Sequence, residues 1–234
     1  MNLYGELAML DVLQPIKNKY KIEFDEEGKP KVFLKASLDC DTPWISNCRE
    51  DEARKCNLWG AYFNNYGIIS QGCFKCYKIV MSISTLRDLF QVLTYQKGQE
   101  ITCKCGIERR RYVGKVGKYG AYWYTPLGGG IEKGREIYNQ IKKDFPNFPL
   151  ILKRGCTEFE MMYNPSSKWE QFGEERGWAD TEQILDSIFV ADPMSLKVEM
   201  NTPELLEMTV VRRWVEYAFE HGDETYLDLQ MDKS

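Results

Sequence analysis

The apolar and polar positions of this chain change period several times, and each period predicts an element. Tyr20-Lys-Ile-Glu-Phe24 alternates, Asp25-Glu-Glu-Gly-Lys-Pro30 supplies turn residues, and Val32-Phe-Leu34 starts a return strand, so residues 20–36 read as a β-hairpin. From 37 to 72 no period is clear, which predicts an irregular packed region containing Cys40, Cys48 and Cys56. A loop that long inside a compact domain needs an organiser such as a metal or a binding role. Tyr77-Lys-Ile-Val-Met81 reads as a short strand. Ser84 or Thr85 then caps a helix whose apolar positions are Leu86, Leu89, Phe90 and Leu93, with Gly98 ending it.

Strands follow over Glu100 to Cys105, Arg110 to Val116 and Tyr119 to Tyr124, with Gly114, Gly117 and Gly120 as turns or bulges. Gly128-Gly-Gly130 opens a helix with Ile131, Ile137, Tyr138 and Ile141 on one side, and Pro149-Leu-Ile-Leu152 is a strand. The remainder is helical at about 156–163, 167–172 and 180–190. A last helix is capped by Thr202, begins at Pro203 and ends at Gly222, with the buried stripe Leu206, Val210, Trp214 and Tyr217.

The cysteines change this picture most. Cys73-Phe-Lys-Cys76 is spaced so that two thiolates can meet one tetrahedral ion. Cys103 and Cys105 alternate on a strand and so share a face, and Cys156 sits at a strand-to-helix turn. The expected metal ligands are Cys73, Cys76, Cys105 and Cys156, with Cys103 as the substitute for either of the last two. With one histidine, His221, in the chain, such a site is thiolate-rich. That favours zinc, with an iron–sulfur cluster as the alternative, and four thiolates imply a structural role. Buried unligated thiols are the competing reading. Cys40, Cys48 and Cys56, with seven residues between each pair, match no ligand pattern.

Charge is segregated. Residues 101–154 carry 12 Lys/Arg against 4 Asp/Glu, residues 155–234 carry 6 against 18, and the whole chain has a net charge of −4. In the basic segment, Arg109, Arg111, Lys115 and Lys118 interleave with Tyr122 and Trp123, a pattern suited to phosphates and stacked bases. The alternative is a sheet with its aromatics in the core and its cations in solvent. Gly128–Gly130 before a helix offers backbone N–H groups to a phosphate-bearing cofactor, similar in outline to the pyrophosphate loop of acyl-CoA-dependent N-acetyltransferases, but lacks the P-loop and Rossmann spacings. Glu158, Glu160 and Asp180 read as acidic helix starts.

No apolar run approaches the roughly 20 residues that span a bilayer. Met1–Glu6 has neither a basic nor a long apolar stretch, so the expected location is cytoplasmic and reducing.

Four stretches together, Cys73-Phe-Lys-Cys76-Tyr-Lys-Ile-Val80, Lys104-Cys105-Gly-Ile-Glu108, Tyr119-Gly-Ala-Tyr-Trp-Tyr124 and Leu152-Lys-Arg-Gly-Cys156-Thr-Glu-Phe-Glu160, resemble a family of uncharacterised bacteriophage and prophage proteins. The resemblance covers about residues 70–170. It implies a viral protein acting in a bacterial cell, favours Cys105 over Cys103, and carries over no catalytic residue.

The expected fold is α+β: a small, mostly antiparallel sheet with flanking helices, a cysteine–metal staple and a helical C-terminal part. Residues 1–154 form the metal-stapled body and 155–234 an acidic helical part packed on it. The expected function is non-enzymatic binding of nucleic acid or of a nucleic-acid-handling host protein. A phosphate-cofactor transferase, an iron–sulfur nucleic-acid-modifying enzyme and an acidic inhibitor are the alternatives.

Overall fold

The computed structural model describes residues 20–28, 30–34, 42–108, 118–189 and 204–229. The chain is α+β and divides into two compact units that interleave in sequence. One comprises Asp39–Glu52, Lys75–Gly155 and Glu199–Ser234; the other comprises Met1–Leu38, Ala53–Phe74 and Cys156–Val198. The sequence places a single boundary at 154/155. The observed division differs because the last helix shares a core with the sheet, whereas 53–74 shares one with the helices after 156.

The sheet unit has five strands in its sheet, all pairings antiparallel. In chain order they are β3 (Trp44–Asn47), β4 (Tyr77–Ile83), β5 (Cys103–Ile107), β6 (Tyr119–Tyr124) and β7 (Leu150–Arg154), and their spatial order is β3-β5-β6-β4-β7. Between β4 and β5 runs helix α3 (Leu86–Lys97), and between β6 and β7 runs α4 (Gly130–Asp144). β4 and β5 are parallel with β6 between them, and β6 and β7 are parallel with β4 between them. Residues 77–154 are therefore a β-α-β-β-α-β unit with two split crossovers, the ferredoxin-like topology. β3 is an added edge strand.

Alternation along the strands explains the core. Ile45, Ile79, Met81, Ile83, Cys103, Cys105, Ile107, Tyr119, Ala121 and Trp123 point to one face and are buried with Leu86, Leu89, Val92, Ile137, Ile141, Val210 and Trp214 of the covering helices. The last of these helices is α8 (Glu204–Glu220). Its Trp214 is fully buried and donates from Nε1 to Pro43 O at 2.8 Å. Thr85 caps α3 by accepting from Asp88 N at 3.2 Å, and Gly98 ends it, as the sequence predicts.

β5 approaches the chain before β3 so closely that a Cβ at Gly106 would collide with Pro43 O and lie 3.0 Å from the Trp44 ring. Asp223 fastens three elements. Its carboxylate accepts from Leu86 N at 2.7 Å, Tyr119 Oη at 3.0 Å and Thr225 Oγ1 at 2.7 Å.

The other unit holds the hairpin β1 (Tyr20–Phe24) and β2 (Pro30–Leu34), in register Ile22 to Val32, as the sequence predicts. Its helices are α1 (Glu50–Tyr66), α2 (Gln71–Phe74), α5 (Thr157–Met162), α6 (Trp169–Glu175) and α7 (Trp178–Ile188). Tyr62, Phe63, Ile69, Phe159, Trp169, Trp178 and Leu185 form its core. A buried carboxylate, Glu182, accepts from Gln71 N at 2.7 Å and from Ser70 Oγ, so α7 supplies the cap for α2. The stretch 37–72, read as irregular, contains β3 and the 17-residue α1. Among the described residues no helix is long and apolar enough to cross a membrane.

Candidate nucleic-acid interface

Each of the four expected metal ligands lies where its own element places it. Cys105 lies in the sheet core, opposite Ile45 and Ala121, with no exposed surface. Burial, then the neighbouring Cys103 and Glu207, push its thiol well above the usual range, against an opposing effect of Lys97. Cys73 is buried in the core of the helical unit, where Cys156 packs half-buried, and Cys76 is half-buried at the start of β4. The substitute, Cys103, is also in the sheet core, and burial followed by Cys48 pushes its thiol up to about 12. Among the described residues no group of three or more Cys, His, Asp or Glu side chains is placed to hold a metal ion. The expected zinc staple, and with it an iron–sulfur cluster, therefore finds no assembled ligand set there. Cys40 lies outside the described residues.

The glycine turn is not an open phosphate cradle. Gly128 and Gly130 have φ of 79° and 63°, which explains two of the three glycines. The Gly129 N–H donates to Pro126 O at 2.9 Å and the Gly130 N–H to Lys75 O at 3.2 Å. Glu158 and Asp180 are exposed in the first turns of α5 and α7, as the acidic-start reading expects. His221 stacks on Tyr217 at 3.9 Å beyond the end of α8. A cavity of about 320 Å³ lies between β3, α3 and α8. Its polar groups are Ser46, Asn47, Gln96 and the Lys97–Glu207 ion pair.

The basic and aromatic residues sort by strand face. Trp123 points into the core with no exposed surface, so its ring is closed to a base. Tyr122 points the other way. On that face the register sets up cross-strand rows: Trp44, Gly106, Gly120 and Ser82; then Ser46, Lys104, Tyr122, Val80 and Ile151; then Tyr124, Lys78 and Lys153. The Lys104 Nζ lies 5.0 Å from the Trp44 ring centre and 5.6 Å from that of Tyr122. The Lys78 Nζ lies 5.5 Å from the Tyr122 ring centre. These are cation–π distances. Trp44 meets Tyr122 edge-on at 5.4 Å, and Tyr124 stacks beside Tyr122 at 6.5 Å.

The middle of this face is closed: Tyr122 is 3% exposed and Lys78 5%. The Tyr122 hydroxyl donates to the buried Glu108 carboxylate. Trp44, Lys104, Tyr124 and Lys153 are half-buried and, with the exposed Ile151, belong to its accessible part. Lys118 is half-buried, and its ammonium donates to His221 O at 2.9 Å, so it closes the end of α8. Arg109, Arg111 and Lys115 lie outside the described residues, in the connection from β5 to β6. Trp44, Lys78, Lys104 and Lys153 are absent from the sequence-based site. The period-two placement of Lys78, Val80 and Ser82 is the signal that could have supplied one of them.

Comparison with family models, with known proteins and with solved structures finds no match to the chain.

Proposed function

We propose that this chain is a non-enzymatic protein that binds single-stranded nucleic acid. The observation that carries the reading is the Lys104 ammonium held between the Trp44 and Tyr122 rings, on a sheet face that also presents Tyr124 and Lys153. A face of cations interleaved with rings attracts a phosphate chain and offers flat apolar surface to unstacked bases. The β5 and β6 strands that bear Lys104, Tyr122 and Tyr124 are joined through the sequence Arg109-Arg-Arg111 to Lys115, which adds cations to one end of the same hairpin. In this reading Lys104, Lys153, Arg109, Arg111 and Lys115 contact phosphates, while Trp44 and Tyr124 stack on bases. Tyr122 acts beneath them as the support for Lys104. Sheets of this topology that bind RNA do so by stacking bases on aromatics of the central strands, and β6 is one of the two central strands here. That parallel is one of fold alone.

The test is fluorescence anisotropy of end-labelled single-stranded RNA and DNA at low salt. Saturable binding is expected, weakened about tenfold by Tyr124→Ala, since one stacked base contributes about 1–3 kcal/mol. Lys104→Ala combined with Lys153→Ala should weaken it at least as much. Absence of saturable binding, or affinity indifferent to these changes in folded variants, would defeat the proposal.

A further inference from the structure

The helix side of the sheet holds the cavity of about 320 Å³ between β3, α3 and α8. Alternation along β3 sends Ile45 and Asn47 to this side and Trp44 to the other. Gln96, Ile45 and Leu93 line the cavity and are 2%, 5% and 6% exposed. The more exposed Lys97 and Glu207 form an ion pair at its rim, from α3 to α8. Two side-chain amides set its polarity. The Gln96 Nε2 donates to Lys104 O and to Tyr122 O, both at 3.2 Å. The Asn47 Nδ2 donates to Gln99 O at 2.9 Å and to Gln96 O at 3.4 Å. All four partners are carbonyl oxygens, so each amide nitrogen is fixed toward them and each amide oxygen is left as an acceptor. The Gln96 Oε1 has no donor among the described residues, although its side chain is almost wholly buried against the cavity. Helix α3 ends here at Lys97, and the negative end of its dipole adds to the same polarity.

We propose that this cavity binds a free α-amino acid with an apolar side chain. A primary ammonium carries three N–H donors, and the site offers it Gln96 Oε1, Asn47 Oδ1 and the Glu207 carboxylate. An amine alone matches that set but strands Lys97, which gives up Glu207 to it. An α-amino acid carries its carboxylate one carbon away from its ammonium. It can therefore enter between the two members of the ion pair, ammonium to Glu207 and carboxylate to Lys97, so that no charge loses its counter-charge. Its side chain then lies against Ile45 and Leu93, where apolar surface is taken out of water. The volume is at the low end of the range of about 300–1,000 Å³ for small-molecule sites, which suits a ligand of this size. The cavity lies across β3 from Trp44, so the proposal stands independently of the nucleic-acid reading.

The experiment is isothermal titration calorimetry of the full chain with L-leucine, with N-acetyl-L-leucine, which lacks the ammonium, and with isoamylamine, which lacks the carboxylate. Leucine is expected to saturate in the low-millimolar range or tighter and to raise Tm as its concentration rises. N-acetyl-L-leucine and isoamylamine should each bind at least about tenfold more weakly. Glu207→Gln should weaken leucine by about tenfold or more. Lys97→Ala should weaken leucine similarly yet tighten isoamylamine, because it releases Glu207 to the amine. If either variant does not fold, the three ligands on the parent chain decide alone. No saturation by leucine up to about 10 mM would overturn the site. N-acetyl-L-leucine or isoamylamine binding as tightly as leucine would overturn the ligand class. Leucine affinity unchanged in folded Glu207→Gln or Lys97→Ala would overturn the placement between the ion-pair partners.

Discussion

Asp223 collects donors from Leu86 N, Tyr119 Oη and Thr225 Oγ1, and a longer one from Thr225 N at 3.3 Å. Burial works against its charged form, but the hydrogen bonds prevail and hold the carboxyl below the usual carboxylate range. A carboxyl lowered by folding contributes stability that is present above its unfolded pKa of about 3.9 and lost as pH falls through the folded value. Asp223→Asn should therefore cost about 2–3 kcal/mol at pH 7, because it weakens charge-assisted bonds and turns an amide N–H₂ toward donors. The difference from the parent chain should begin to shrink as pH falls below about 4 and should be smallest below the lowered folded value, where Asp223 is protonated and both side chains are neutral. Urea unfolding across that range measures it, and a constant difference would show that the charge is not what matters. At this scale the sequence was legible where the partner is local: Thr85 bonds Asp88, three residues on. It was silent about Asp223, whose backbone partner Leu86 lies 137 positions away.

Elements were legible where one face is apolar and the other is not. The helices α3 and α4 and the hairpin β1–β2 follow that rule, and their ends fall near the expected caps and turns. β6 shows why the rule fails. Tyr119, Ala121 and Trp123 alternate with Gly120, Tyr122 and Tyr124, so neither face is polar and the pattern alone cannot say which ring is buried. Packing by α3 and α4 decides it in favour of Trp123. The missed α1 did carry a signal, since Leu58, Trp59, Tyr62, Phe63 and Tyr66 recur at helical spacing behind a charged first half. α8 was legible as a helix, but its place on the sheet depends on Trp214. That ring is buried, meets Phe90 edge-on at 5.9 Å and bonds Pro43 O. Trp214→Phe keeps an aromatic and removes the donor. It should lower stability by about 2 kcal/mol, from a lost buried hydrogen bond and a partial void. The shift belongs in the urea midpoint with an unchanged m-value; a loss below about 0.5 kcal/mol would mean that α8 is anchored elsewhere.

For the whole molecule, the α+β class follows from the order of elements, whereas the cysteine spacing does not say where the strands set each thiol. Cys73 and Cys76 have two residues between them, yet Cys105 is claimed by the alternation of β5, which turns every second residue into the sheet core. Register, not ligand spacing, places that thiol, and register is not visible in a single strand. The charge segregation is a molecular property of a different kind. Net charge is −4, so the field of the whole chain repels a phosphate polymer at long range, while residues 101–154 attract it at short range. Salt then acts on both parts. It screens the general repulsion and competes for the phosphate contacts, and only the second scales with the number of cations engaged. If the β5–β6 connection engages phosphates, replacing Arg109, Arg111 and Lys115 together by Ala should do two things. It should weaken binding of a single strand at every salt concentration, and it should flatten the slope of log K against log salt by roughly 2, at about 0.7 per phosphate contact. Tyr124→Ala should weaken binding and leave the slope unchanged, because a ring releases no counterions. Anisotropy titrations between about 50 and 200 mM salt separate the two effects. Equal slopes for the parent chain and the triple variant would place the phosphates elsewhere and leave Lys104 and Lys153 as the cations to examine.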